Sequence, residues 1–253
     1  MRFITSLLSV SLLATGGFCA EEVSTEAVRK ILKENPDIVL DVLKEHTGDL
    51  AEIVDQGRRE AKSRKELKTL DDAFKRPKSP AITDATRVRG DREAKYTLVE
   101  YSDFQCPYCT RGFNTVQTLR EKHGEDLRFV YKHLPLNFHK QAMPAALYME
   151  AVSLQSPEKA WEFHDILFKN QKNLNEGFFK QTVEKLGLDL ERIEADIKSP
   201  KLKALIKADM DEARRFGFTG TPAFLLNGIP IKGARPPQYF ESIMKRLEKT
   251  AGD

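Results

Sequence analysis

The chain has 253 residues, 40% of them apolar and 31% charged, enough for one sizeable core or two smaller ones. Its 41 basic and 38 acidic residues leave a formal charge of +3, without the strong basic excess of a dedicated nucleic-acid binder. With three cysteines it is not a scaffold stapled by several disulfides.

Residues 1–20 read as an export signal. Arg2 supplies the positive start, and Phe3 to Thr15 is an apolar run of about 13 residues, short of the ~20 that span a bilayer. Gly16-Gly17-Phe18-Cys19-Ala20 then precedes the charged Glu21-Glu22. Cys19 raises the question of a lipid anchor, but the bulky Phe18 stands where a lipidation site has a small residue. Cleavage after Cys19 or Ala20 leaves Cys106 and Cys109 in the exported chain.

Residues 21–77 read as a charged helical arm. Ser24 or Thr25 caps a helix carrying Val28, Ile31 and Leu32, which Pro36 ends or kinks. Ile38, Val39, Val42 and Leu43 continue at helical spacing, and Gly48-Asp49 implies a break. A thin apolar stripe then runs through Leu50, Ile53, Val54, Ala61, Leu67, Leu70 and Phe74. The run GRREAKSRKELK (57–68) is almost wholly polar, as in a solvated linker helix. The apolar faces at 28–43 need a partner, so the expectation is an oligomerisation arm. KRPKSPA (75–81) reads as a linker.

From residue 78 the pattern changes. Thr97, Leu98, Val99 and Tyr101 form a β run ending at FQCPYC (104–109). Pro107 starts a helix to about His123, and LRFVYKH (127–133) is a second strand. Helical signals fill 139–216. AFLLNGIPI (223–231) is a hairpin turning at Asn227-Gly228, and Pro237 to Lys249 closes the chain as a helix. This order predicts an α/β, thioredoxin-like fold over 78–253 with a helical insertion at about 139–216.

The cysteine pair carries the chemistry. A helix N-terminus offers free N–H groups and partial positive charge, which lower the pKa of a thiol placed there. Pro107 suits the first helical position, so Cys106 sits at that terminus. Cys109 follows one turn later. The spacing predicts an exposed attacking thiol and a more buried resolving thiol, the pair that thiol–disulfide exchange requires. Half a zinc site has the same spacing, but no second CxxC or His-x3-His accompanies it, and the histidines at 46, 123, 133, 139 and 164 are scattered. Neither a metal nor another cofactor is expected. Gly220-Thr221-Pro222-Ala223 precedes the hairpin, where this fold places a cis-proline against the cysteines. Glu100 lies inside the apolar strand TLVEY. A buried acid there would have a raised pKa and could exchange a proton with the resolving thiol, whereas the other strand face would put it in solvent.

VRGDREAKYTLVEYSDFQCPYC (88–109), FVYKHLPLNFHKQA (129–142) and FGFTGTPAFLLNG (216–228) resemble the DsbA family of exported thiol–disulfide oxidoreductases. The resemblance implies Cys106 as nucleophile, Cys109 as resolving thiol, Pro222 as cis-proline and Glu100 as the buried acid; Thr221 precedes that proline where the best-known oxidases carry valine, like the isomerases but also like some oxidases. Tyr108 stands where the best-known periplasmic oxidases have histidine and brings no positive charge, so a less acidic thiol than theirs is expected. AVRKILKENPDIVLDVLKEH (27–46) is similar to the N-terminal segment of ScsC-like proteins, implying a trimer or dimer. Together these imply a periplasmic enzyme acting on unfolded or misfolded exported proteins, with a membrane redox partner. The favoured reading is a disulfide isomerase or reductase. The alternatives are a dithiol oxidase and, in another class, a copper-binding or chaperone-like protein.

Overall fold

The computed structural model describes residues 24–83 and 86–251; the signal segment and Cys19 lie outside them. The chain divides into two compact units, one ending at Arg64 and one starting at Lys65.

In the first unit, α1 (Thr25–Glu34) is capped by the Ser24 hydroxyl, which accepts from the Ala27 N–H at 3.2 Å. Pro36 does not merely kink a longer helix: it occupies the first position of α2 (Pro36–Glu45). The next break falls at His46 rather than at Gly48-Asp49, both of which lie in the first turn of α3 (Thr47–Lys75). No Cβ added to Gly48 would touch anything, so nothing there requires glycine's freedom. Val28, Ile31, Leu32, Ile38, Val39, Val42 and Leu43 are all exposed.

In the second unit, Leu70, Ala73 and Phe74 at the end of α3 pack against the main core, and Arg246 lies over the Phe74 ring at 4.1 Å. These turns belong to the folded body. The sheet has the order β2-β1-β3-β4. β1 (Tyr96–Ser102) runs parallel to β2 (Leu127–His133) through the crossover helix α4 (Pro107–His123). β3 (Ala223–Leu226) and β4 (Ile229–Lys232) add antiparallel strands. Their two-residue turn puts Asn227 at φ 46° and Gly228 at φ 83°, the left-handed pair that such a hairpin favours.

Between β2 and β3 come α5 (Ala142–Gln155), α6 (Pro157–Lys169), α7 (Glu176–Lys185), α8 (Leu190–Asp196) and α9 (Pro200–Arg215); α10 (Pro237–Ala251) closes the fold. Strand alternation sorts β1 between two cores. Tyr96 and Leu98 face the core shared with α4, α6 and α10, while Val99 and Tyr101 face the one shared with α9. Both faces are covered, so β1 has no solvent side. This settles Glu100: it is buried, on the same face as Leu98, with its carboxylate towards α4.

Candidate active site

The site is assembled at the C-terminal end of the central strand β1, where the chain passes into α4. Cys106 is the N-cap of α4 with extended backbone (φ −75°, ψ 120°), and Pro107 takes the first helical position. The Cys106 carbonyl accepts the Cys109 N–H at 2.9 Å, closing the turn. The attacking thiol is less open than expected: Cys106 is 4% exposed and Cys109 0%. The cause is the loop before β3. The Thr221–Pro222 bond is cis, and the Thr221 carbonyl accepts from Cys106 Sγ at 3.6 Å, lying over the sulfur. Tyr108 instead points outwards, 57% exposed, with the Arg111 guanidinium over its ring at 4.4 Å.

The two thiols are pushed in opposite directions. Hydrogen bonding from the Cys109 thiol, contact with the Thr221 hydroxyl and the N–H groups of Cys109 and Tyr108 lower Cys106 to about 5, against the opposing effect of burial. The buried Thr221 hydroxyl has no hydrogen-bond partner within normal geometry. Tyr108 thus contributes through its backbone. Cys109 is pushed well up, first by burial, then by its bond to Cys106 and by the Glu100 charge. The site holds one anion-ready sulfur over one protonated sulfur.

Glu100 stands below them, raised to about 8, chiefly by burial and further by the nearby Cys106 charge. Its Oε1 accepts from the Ser102 hydroxyl at 2.7 Å, and its Oε2 is buried without a partner. Gly112 makes this approach possible: a Cβ there would come within 3.3 Å of Glu100 Oε1 and 3.2 Å of Pro222 and Phe224 side-chain carbons.

Three supporting residues escaped the sequence reading. Asp103 is buried and accepts from the Gln105 N–H (2.7 Å), the Leu136 N–H (2.8 Å) and His139 Nδ1 (2.8 Å). It therefore ties the cysteine loop to the segment after β2. Its turn with Gln105 is the sort an Asp two residues before a turn N–H makes, so that part was visible locally. His164 is buried among Phe104, Phe113, Tyr131, Trp161 and Phe168 and held near 4, mostly by burial. Gln171, just after α6, donates from Nε2 to the carbonyls of Phe104 (2.9 Å) and Cys106 (2.8 Å). No local signal marks Gln171, because its partners lie far away in sequence, whereas His164 has Asp165, Trp161 and Phe168 close by in the chain. Among the described residues, no three His, Cys, Asp or Glu side chains group as a metal site.

A cavity of about 260 Å³ adjoins the cis-proline, lined by Phe218, Gly220, Thr221, Pro222, Lys232 and Gly233.

The sequence profile described as Thioredoxin matches residues 82–246. Among solved structures, the chain is similar to a thioredoxin-like oxidoreductase from Silicibacter pomeroyi, at 29% identity and TM-score 0.60, covering 66% of this chain and 94% of that one. It is also similar to DsbA2 from Pseudomonas aeruginosa, at 27% identity and TM-score 0.57, covering 66% and 97%. Among curated sequences, a Na(+)/H(+) antiporter from Mycolicibacterium vanbaalenii is 34% identical over 172 residues, 67% of this chain. The chain spans 27% of that antiporter's length, about a quarter, so the antiporter's name describes a much longer protein.

Proposed function

The chain belongs to the thioredoxin family, among thiol–disulfide oxidoreductases of DsbA type, and on that premise we propose that it is an exported, periplasmic disulfide isomerase or reductase for misfolded proteins. One observation carries the chemistry: the Cys106 sulfur sits at the α4 N-terminus under the Thr221 carbonyl, with Cys109 and Glu100 buried close by.

The Cys106 thiolate attacks one sulfur of a substrate disulfide. A Cys106–substrate disulfide forms, and the other substrate sulfur leaves as a thiolate. In isomerisation that substrate thiolate attacks a different substrate disulfide, and a later substrate thiolate releases Cys106 unchanged. In reduction Cys109 gives its proton to the ionised form of Glu100 and attacks Cys106 Sγ. The substrate leaves as a dithiol, and the two electrons it gains come from the pair, which a membrane electron donor must then re-reduce. The exposed apolar faces of α1 and α2 support an oligomerising arm, trimer or dimer, which would hold several sites around one substrate at high effective concentration.

A specific observation favours a second reading. A thiol held near 5 stabilises the reduced form and makes the disulfide more oxidising, as suits a dithiol oxidase. For the copper-binding alternative, the resistance of Cys109 to ionisation works against a two-thiolate Cu(I) site. Stoichiometric Cu(I) uptake that Cys106→Ser abolishes, without any exchange activity, would revive it.

The deciding experiment is reactivation of a scrambled multi-disulfide protein by the chain from residue 21 and by a version from residue 65. The cut belongs at 65, not 78, because Phe74 and Leu70 are part of the core. Reactivation by the longer chain alone supports isomerisation through the arm. If neither reactivates it while both rapidly oxidise a dithiol peptide, the oxidase reading replaces it.

A further inference from the structure

We propose that Gln171 is a positioning residue for the nucleophile, through which the helical insertion holds the Cys106 turn and favours its thiolate. The inference rests on the reading that Cys106 and Cys109 exchange disulfides.

The geometry is specific. A carboxamide nitrogen has two N–H donors, and Gln171 directs both at main-chain carbonyls on either side of the nucleophile's own N–H: Phe104 at 2.9 Å and Cys106 at 2.8 Å. The amide's orientation follows from chemistry, since the reverse would put an acceptor oxygen against two carbonyl oxygens. Gln171 opens the short 3-10 turn Gln171–Asn173 after α6, in the insertion. The same stretch holds the loop a second way: the Phe168 ring packs at 5.0 Å from Phe104 and 5.2 Å from Phe113.

Cys106 has no side-chain cap and sits at a hinge between strand exit and helix. Both carbonyls belong to the turn that carries the sulfur, so their dipoles add negative potential close to it. A donor on each fixes the peptide planes and offsets that negative potential, which stabilises a nearby anion. The ionisable groups facing the sulfur from α4 and β1 are Cys109 and Glu100, and neither is altered by changing Gln171.

The test uses the exported full chain with Gln171→Leu, which removes the donors, and the isosteric Gln171→Glu, which replaces them with acceptors. Two quantities are read. One is the Cys106 thiolate titration by ultraviolet absorbance. The other is the equilibrium in which protein disulfide plus two glutathione thiols gives protein dithiol plus glutathione disulfide. For Gln171→Leu the expected results are a rise of roughly half to one unit in the thiol's apparent pKa and a ~3–10-fold shift towards the protein disulfide. Gln171→Glu should shift both further. The oxidised form should lose less melting temperature than the reduced form, because only the reduced form carries the thiolate.

Titrations and equilibria within about twofold of wild type in both variants would overturn the inference. So would equal losses of melting temperature in the two redox forms, which mark a purely structural contact. If the unaltered chain forms no reversible disulfide with glutathione, the disulfide-exchange reading itself fails and takes this one with it. A reversible wild-type equilibrium with unmoved variants removes the Gln171 role alone.

Discussion

At the scale of residues, three side chains divide the work. In the proposed exchange Cys106 supplies the anion, Cys109 keeps its proton until a mixed disulfide exists, and ionised Glu100 takes that proton. Glu100 is protonated below about 8, so release of the mixed disulfide by Cys109 should quicken as pH rises towards that value. Glu100→Gln should remove this rise and slow release by ~100-fold, as measured by stopped-flow release of a labelled peptide. The same group affects stability. Its folded pKa is raised from 4.5, so the neutral form is favoured on folding. Its contribution is full below about 4.5 and is lost as pH rises through about 8. The loss is a few kcal/mol, at about 1.4 kcal/mol per pKa unit. Glu100→Gln should therefore stabilise the protein more at pH 9 than at pH 4, which urea melts at the two pH values would read. Cys109→Ser should let the mixed disulfide accumulate, visible as a trapped adduct on a non-reducing gel.

Among the elements, the β3–β4 hairpin holds the cis-proline loop in place, and its turn has little slack. A Cβ on Gly228 would lie 2.4 Å from the Lys78 carbonyl oxygen and 2.8 Å from Pro77 Cβ, and the glycine has a positive φ. The Gly228 carbonyl also accepts the Lys78 N–H at 2.9 Å, so the linker cannot move away without losing that bond. Gly228→Ala should cost about 2–3 kcal/mol or more in denaturant melts, through strain and the clash. Gly112 is less constrained, since its crowding neighbours are side-chain atoms at 3.2–3.3 Å.

Across the second unit, sheet and insertion are joined by buried ionic groups that the active site does not use. Glu150 on α5 is paired with Arg87 and with His133 Nε2 at 2.7 Å. Burial alone would raise its pKa, but the Arg87 charge and His133 outweigh that and hold it at about 2. Its stabilisation is present above about 4.5 and is lost as pH falls through about 2. Glu150→Gln should cost about 3 kcal/mol at pH 7, because it leaves a buried cation without its partner, and much less near pH 2. Chemical denaturation at the two pH values checks this. Behind the sheet, Lys132 joins Glu212 and Asp209 of α9, with the Tyr101 hydroxyl donating to Glu212 at 2.6 Å.

Much of this protein was legible in its sequence, because the signals were local. Pro107 after Cys106 marked a helix start, Asn227-Gly228 marked a two-residue turn, and β-branched and aromatic runs marked β1 and β2. The cysteine spacing carried the chemistry for the same reason: two sulfurs one helical turn apart meet wherever that helix lies. What only the tertiary structure decided depends on groups brought together from distant parts of the chain. Strand alternation left Glu100 two possible faces, and helices packed on both sides of β1 removed the solvent one. Spacing left Cys106 open, but a loop more than a hundred residues later in sequence closed over it. Asp103 reaches the segment after β2 and Gln171 reaches back from the insertion, contacts that local pattern does not encode because they exist only once the chain has folded.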